Sequence, residues 1–169
     1  MSHDAMAGIL REAMIAERNG HQFYSAAAER SEDPGAKRAF AALAEEERTH
    51  YEALQQRYRE LLEHGNTSWD PIPEAEHREE ATASIFSPTF HNRLRGRHFE
   101  MSALAIGVLL EKESIAFYSK QAQEAAEPQI RAFFERLVTW ETEHYNGLLR
   151  QQDALREEDW QANRFEPLL

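Results

Sequence analysis

The feature that most constrains the fold is an internal repeat, in which the two halves of the chain match at a spacing of 94 residues. Apolar, proline and ionisable residues all take part in the match. The pairs are Leu10 with Leu104, Glu17 with Glu111, Phe23 with Phe117, Tyr24 with Tyr118, Pro34 with Pro128, Phe40 with Phe134, Leu43 with Leu137, Glu47 with Glu141, His50 with His144, Tyr51 with Tyr145 and Leu54 with Leu148. A match over this length indicates a duplicated helical hairpin.

Four segments rich in Ala, Glu, Leu, Arg and Gln are predicted to be helices, because these residues have high helix propensity. The predicted helices cover residues of about 4–31, 34–64, 98–126 and 128–158. Pro34 and Pro128 each suit the first position of a helix, and Gly65 suits the position just after the end of one. The sequence therefore predicts two helical hairpins.

The two hairpins are joined by residues 66–97, where three prolines and a glycine interrupt the helical pattern. We predict a long link here, with a short helix over residues 74–83. Residues 159–169 are predicted to form a tail that packs its two aromatic residues on the outside of the helices.

The length of the link bears on how the hairpins are connected. A helix of about 30 residues is about 45 Å long. The 32 residues of the link can span that distance, since an extended chain covers about 3.3 Å per residue. The second and third helices would then run parallel. We therefore predict one all-α domain over residues 1–169, a four-helix bundle with one crossover connection.

Composition excludes several classes of function. The formal net charge of −11 disfavours nucleic acid and anionic membranes as partners, because both are polyanions. The chain has no cysteine, which excludes disulfides, thiolate metal sites and a thiol nucleophile. The first residues lack the pattern of a signal peptide, and no segment reaches the length of a membrane span. We therefore expect a cytoplasmic protein.

Ionisable residues interrupt the apolar stripe that each helix should turn toward the core. In the second helix the steps of 3, 4, 3 and 4 that mark one helix face join Phe40, Leu43, Glu47, His50 and Leu54. The fourth helix repeats these steps with Phe134, Leu137, Glu141, His144 and Leu148. On the first and third helices, Glu17 and Glu111 take the corresponding inward positions.

These six ionisable side chains are expected to lie at one level of the bundle. In an antiparallel hairpin, residues equidistant from the turn lie side by side. A first turn near residues 32 and 33 sets Glu17 opposite position 48, and a second turn near 126 and 127 sets Glu111 opposite position 142. Each glutamate therefore faces the Glu-x-x-His pair of its own hairpin.

Such a cluster requires compensation, because an unpaired buried carboxylate loses several kcal/mol of hydration free energy. Two divalent cations would neutralise the four glutamates, and the two imidazoles would complete the ligand set. Carboxylate oxygen with some imidazole suits iron or manganese, with zinc as a possible substitute. The sequence therefore predicts a dinuclear metal site.

One Glu on each of two helices with Glu-x-x-His on the other two resembles the ferritin-like di-iron proteins, and the rubrerythrins in particular. The resemblance rests on AERNGHQFYSAAAE, LAEEERTHYEAL, LLEKESIAFYSKQA and LVTWETEHYNGLL, which together represent all four helices. It implies a ferritin-like fold and two iron ions. It also implies that Glu47 and Glu141 bridge the metals, that Glu17 and Glu111 are terminal ligands, and that His50 and His144 each serve one metal.

Two departures from the family pattern affect the expected activity. Rubrerythrins of the best-known type carry a further Glu three residues after the third-helix Glu, where this chain has Ser114. They also carry a rubredoxin-like domain with four cysteines, so the resemblance implies an external electron-donor protein here. The substrate expected from the resemblance is hydrogen peroxide or oxygen, reduced as Fe(II) is oxidised.

Two other functions stay open at this point. The first is iron sequestration or delivery with only incidental oxidation, and the second is a helical scaffold that binds no metal. Relatives commonly form dimers or larger assemblies, so we expect a homodimer or a larger homo-oligomer.

Three residues near the proposed ligands are expected to support them rather than bind metal. His21 lies one turn beyond Glu17, and Tyr24 and Tyr118 lie two turns from the terminal glutamates. A phenol at that position could hydrogen-bond a ligand carboxylate, relay an electron or simply pack in the core. Four neighbouring glutamates are expected to be surface charges: Glu45, Glu46, Glu113 and Glu143.

Overall fold

The computed structural model describes residues 2–32, 34–70, 72 and 98–162, with side chains from Phe99 to Asp153 in the last range. Four helices make up this part of the chain: α1 (His3–Arg30), α2 (Pro34–His64), α3 (His98–Glu124) and α4 (Pro128–Ala162). The described ranges contain no strand. The predicted fold class, an all-α ferritin-like four-helix bundle, is confirmed. No helix within these ranges has the length and apolar character needed to cross a membrane.

The helix ends differ in places from those predicted. Helix α3 ends at Glu124 rather than near 126, and α4 continues to Ala162, past the predicted end near 158. The prediction for α4 was wrong because no Gly or Pro stands between Gly147 and Pro167, so the sequence offers nothing to end the helix earlier. Residues 159–162 are therefore helical rather than part of a tail.

Two predictions fall outside the described part of the chain. The short helix predicted over residues 74–83 lies outside it. So does Phe165, one of the two aromatic residues that the predicted tail was expected to pack on the helices. Trp160 is a residue of α4, but its side chain is likewise outside the described part.

Local chemistry explains the helix boundaries that the structure shows. The Ser2 hydroxyl accepts a hydrogen bond from the backbone N–H of Ala5 and so caps the start of α1. Pro34 and Pro128 are the first residues of α2 and α4. Helix α2 ends at His64. Gly65 follows it with a positive φ of 74°, which suits a glycine, and its N–H donates to the Leu61 carbonyl at 2.9 Å.

The helices pack as two hairpins, α1 with α2 and α3 with α4, around two separate apolar clusters. The first cluster includes Tyr24, Phe40, Leu43, Leu104 and Leu148. The second includes Leu10, Leu54, Tyr118, Phe134, Leu137 and Trp140. Along the chain α2 and α3 both run from the first cluster to the second, so these two helices are parallel. A polar layer lies between the clusters on every helix.

Adjacent leucines near the end of α2 test the contribution of core packing to stability. Leu61 is only 5 % exposed and packs in the second cluster, whereas Leu62 is 54 % exposed. We expect Leu61→Ala to lower the free energy of unfolding by about 2–5 kcal/mol, through lost burial and a residual cavity. We expect Leu62→Ala to change it by no more than about 0.5 kcal/mol. Denaturant unfolding of the metal-free protein measures both, and equal effects would contradict this assignment of the core.

Candidate metal centre

The polar layer brings together the six side chains that the sequence singles out as ligands. They form two groups of four, in each of which one possible ligand atom per residue lies within 4.8 Å of the others. The first group is Glu17, Glu47, His50 and Glu141, and the second is Glu47, Glu111, Glu141 and His144. All six residues are at most 4 % exposed. Glu47 and Glu141 belong to both groups, so the two groups are adjacent and share carboxylates.

One imidazole faces each group through its Nδ1 atom. His50 Nδ1 lies 3.3 Å from Glu17 Oε2 and 3.4 Å from Glu141 Oε1. His144 Nδ1 lies 3.9 Å from a carboxylate oxygen of each of Glu47, Glu111 and Glu141. The two rings are 6.4 Å apart between centroids. Each group of carboxylates therefore has an imidazole of its own.

The layer has more buried polar atoms than the protein satisfies by hydrogen bonding. Five of these atoms have no hydrogen-bond partner: Glu17 Oε2, His50 Nδ1, both carboxylate oxygens of Glu141, and His144 Nδ1. An unsatisfied buried polar atom costs about 1–3 kcal/mol. All five point to the same layer and all are ligand atoms that iron or manganese accepts. The donor set therefore fits two divalent cations.

The protonation equilibria of the cluster reflect its excess of negative charge. Burial, followed by the charges of neighbouring carboxylates, raises the pKa of Glu47 and of Glu111 well above the usual range. Burial opposes the charged form of His50, but Glu141 and Glu17 outweigh it and raise the pKa of His50 to about 10. Without cations, the protein must hold protons in this layer to limit repulsion.

Two tyrosines tie the hairpins together at the terminal glutamates. The Tyr24 hydroxyl donates to Glu111 Oε1, and the Tyr118 hydroxyl donates to Glu17 Oε1. Each bond joins a residue of one hairpin to a carboxylate of the other. Burial and the neighbouring carboxylates raise the pKa of both phenols, so both keep their protons and remain donors. These bonds fix the orientation of Glu17 and Glu111.

Glu46 was predicted to be a surface charge, and this prediction was wrong. The residue is only 3 % exposed, and its Oε2 atom lies 2.9 Å from His144 Nε2. Two signals in the sequence could have identified it. Glu46 follows Leu43 by three residues and precedes His50 by four, so it also fits the inward stripe. Its counterpart in the repeat is Trp140, a residue type that favours burial.

The other flanking residues lie away from the cluster. Glu45 accepts hydrogen bonds from Arg48 at the half-buried edge of α2, while Glu113 and Glu143 are exposed. His21 Nδ1 lies 2.8 Å from the Ala44 carbonyl oxygen. His21 therefore contacts a backbone carbonyl of α2, whereas the two tyrosines contact carboxylates of the proposed ligands.

Two glycines inside helices allow the side chains of the layer to approach closely. A Cβ atom at Gly20 would lie 2.9 Å from Glu47 Oε2, and one at Gly107 would lie 3.0 Å from the Tyr24 hydroxyl. Any larger residue would displace a carboxylate of the cluster or a tyrosine that supports one. Glycine weakens a helix interior by about 1 kcal/mol relative to alanine. These close approaches explain why it stands there nonetheless.

A cavity of about 270 Å³ between α1 and α3 leads to the cluster. Glu47, Glu111 and Ser114 line its inner part together with Gly20, and the exposed Ile15 lies at its rim. Gly20 and Ser114 occupy equivalent positions of the repeat, and both are small. The small size of these two residues keeps the space beside the carboxylates open.

Comparison with protein-family models matches residues 8–151 to the family described as Rubrerythrin. The chain therefore belongs to the rubrerythrin family, and the matched residues form its ferritin-like di-iron domain. No curated protein and no solved structure matches the chain in the corresponding comparisons. The family indicates a site of the di-iron type, and the buried cluster of carboxylates and imidazoles is able to bind metal ions.

The two overlapping groups predict how many metal ions each variant binds. We expect two divalent ions per chain in the unaltered protein, one in His50→Ala or His144→Ala, and none held tightly in Glu47→Ala, because Glu47 belongs to both groups. Elemental analysis after metal loading and desalting measures the ratio. Glu45→Ala is the matched control, since Glu45 is adjacent on α2 but outside both groups, and it should still bind two. Equal ratios in Glu47→Ala and the control would contradict the site.

Proposed function

We propose that the protein is a non-haem di-iron oxidoreductase that reduces hydrogen peroxide or oxygen as Fe(II) is oxidised. The observation that carries this proposal is that two groups of four ligand residues share Glu47 and Glu141. Shared carboxylates at this spacing suit two adjacent ions acting on one substrate, rather than two independent sites. Membership of the rubrerythrin family supports the same reaction class.

In this proposal, Glu17, Glu47, His50 and Glu141 hold one ion, and Glu47, Glu111, Glu141 and His144 hold the other. Two ferrous ions bound there would supply the two electrons that reduce a peroxide to two molecules of water, with uptake of two protons. Glu47 and Glu141 would be shared by both ions, and the negative charges of the carboxylates would offset the positive charge of the metals. Tyr24 and Tyr118 keep the terminal carboxylates in place through their hydrogen bonds.

The apolar clusters and the cavity have complementary roles in the proposed reaction. The two clusters close the layer from both ends of the bundle and limit the entry of water. The cavity between α1 and α3 provides the opening through which a small oxidant reaches Glu47 and Glu111. In this proposal, the apolar clusters enclose the site at both ends and the cavity between α1 and α3 gives access from the side.

The alternative is iron sequestration or delivery with only incidental oxidation. Ser114 favours this alternative, because it lines the cavity where the best-known rubrerythrins have an additional carboxylate. Because Ser114 supplies no carboxylate, the two ions would have the same number of protein ligands. This equality is similar to that in ferritin-like proteins that take up and oxidise iron. The external electron donor, the cytoplasmic location and the homo-oligomer stay predictions under either function.

Anaerobic loading with Fe(II), followed separately by peroxide and by oxygen, distinguishes the two functions. With an added reductant, an oxidoreductase should consume far more oxidant than the iron present, whereas a storage or delivery protein should stop after oxidising its own iron. Glu47→Ala and His50→Ala should both abolish the catalysed consumption. Turnover that is unchanged in both variants would refute the proposal, and so would stoichiometric uptake alone.

The cavity predicts a further result at Ser114. Ser114→Leu would fill the space beside Glu111, so we expect oxidation of the loaded Fe(II) by peroxide to slow at least several-fold while the iron content stays at two per chain. Ser114→Ala keeps the opening and should react at the original rate. Stopped-flow absorption measures the rate, and equal rates in the two variants would show that the oxidant enters elsewhere.

A further inference from the structure

The two halves of the metal centre are equivalent at every proposed ligand, but they differ directly behind the two imidazoles. At equivalent positions of the repeat, the first half has Glu46 and the second half has Trp140. Both residues are buried, at 3 % and 1 % exposure. Each contacts the histidine of the opposite hairpin, so Glu46 meets His144 and Trp140 meets His50. The surroundings of the two imidazoles are therefore chemically different.

Behind His144, a carboxylate fixes the state of the ring. Glu46 Oε2 lies 2.9 Å from His144 Nε2. An ionised carboxylate only accepts hydrogen bonds, so the proton of a neutral imidazole must be on Nε2. The lone pair is then on Nδ1, the atom that faces Glu47, Glu111 and Glu141. Glu46 thus selects the tautomer in which His144 can bind a metal. The negative charge of Glu46 also makes the imidazole a stronger metal ligand.

Behind His50, the contact is of another kind. The Trp140 indole stacks on the His50 ring with 4.8 Å between centroids and an angle of 1° between the planes. Stacking holds the plane of the ring but supplies no negative charge. The Arg136 guanidinium lies over the same indole, with its central carbon 5.0 Å from the centroid of the Trp140 ring. The surroundings of His50 are therefore less favourable to a further cation than those of His144.

We propose that Glu46 is a positioning residue that makes the two metal positions unequal, so that the ion at His144 is bound more tightly than the ion at His50. The ligand sets of the two positions are matched, with three carboxylates and one imidazole each. The difference between them therefore comes from the residues behind the imidazoles. This inference rests on the dinuclear site of the proposed function but not on the oxidation reaction.

The expected size of the effect follows from the way supporting residues act on metal sites. Loss of a carboxylate that hydrogen-bonds a metal-bound histidine typically weakens binding by about 10–100-fold. We expect Glu46→Ala to weaken binding at the His144 position by this factor, because both the tautomer preference and the charge are lost. Glu46→Gln keeps an acceptor oxygen and nearly the same shape but removes the charge, so its effect should be smaller.

The test is a titration of the metal-free full chain with Co(II), in which calorimetry and visible absorption monitor metal binding. The unaltered protein should show two steps of different affinity. His144→Ala should remove the tighter step and His50→Ala the weaker one, which assigns each step to a position. Glu45→Gln is the matched control, because Glu45 precedes Glu46 on α2 and pairs with Arg48 at the surface. It should leave both steps unchanged.

A second measurement separates a positioning role from a purely structural one. In the Zn(II)-loaded protein, ¹⁵N NMR of the histidines should show His144 as the Nε2–H tautomer, with its proton in a strong hydrogen bond. That proton signal should shift in Glu46→Gln and be lost in Glu46→Ala. Circular dichroism of each variant reports whether the bundle is intact, and the near-isosteric Glu46→Gln provides the test if Glu46→Ala does not fold.

The outcomes distinguish failure of this inference from failure of the proposed function. Two steps with only the His144 step weakened in Glu46→Ala and Glu46→Gln would support the inference. Equal affinity at both positions, or equal weakening of both steps in folded variants, would overturn it and leave the dinuclear site intact. A chain that binds no Co(II) would overturn both.

Discussion

The structure depends on the burial of four glutamates and two histidines in one layer of a helical bundle. Neither the two tyrosine hydroxyls nor Glu46 supplies the positive charge that this layer requires. Charge at such a depth is tolerated only with a nearby counter-charge, since hydration is lost and the local dielectric constant is low. The apolar clusters on either side provide the folding free energy that holds the layer together. The layer itself is arranged for cations.

The close packing of this layer also constrains residues that are not proposed metal ligands. Gly20 leaves room for Glu47, and Gly107 leaves room for Tyr24, which in turn orients Glu111. Both glycines weaken their helices, yet a Cβ atom at either position would meet an oxygen atom at about the limit of contact. The two halves match at all six proposed ligands, but they differ at the residues behind the two imidazoles, where one half has Glu46 and the other has Trp140.

Much of this arrangement could be predicted from the sequence. The repeat of 94 residues indicates the duplicated hairpin, and the steps of three and four residues select Glu47 and His50 as inward-facing residues. The burial of Glu46 was missed because positions 46 and 47 both fit the stripe after Leu43, and the prediction took only position 47 as inward-facing. Only the packing of α2 against α4 decides which neighbours a borderline position meets. The end of α4 was missed because no Gly or Pro stands between Gly147 and Pro167 to mark it.

The sequence by itself determined the all-α bundle, the equivalence of its two halves and the six ionisable residues of the layer. These follow from periodicity, which is a local property of a helix and repeats faithfully when the segment is duplicated. Only the tertiary structure decided which side chains meet across the hairpins: Tyr24 with Glu111, Tyr118 with Glu17, Glu46 with His144 and Trp140 with His50. These contacts join residues far apart in the chain. They depend on the rotation and separation of whole helices, which no single segment encodes.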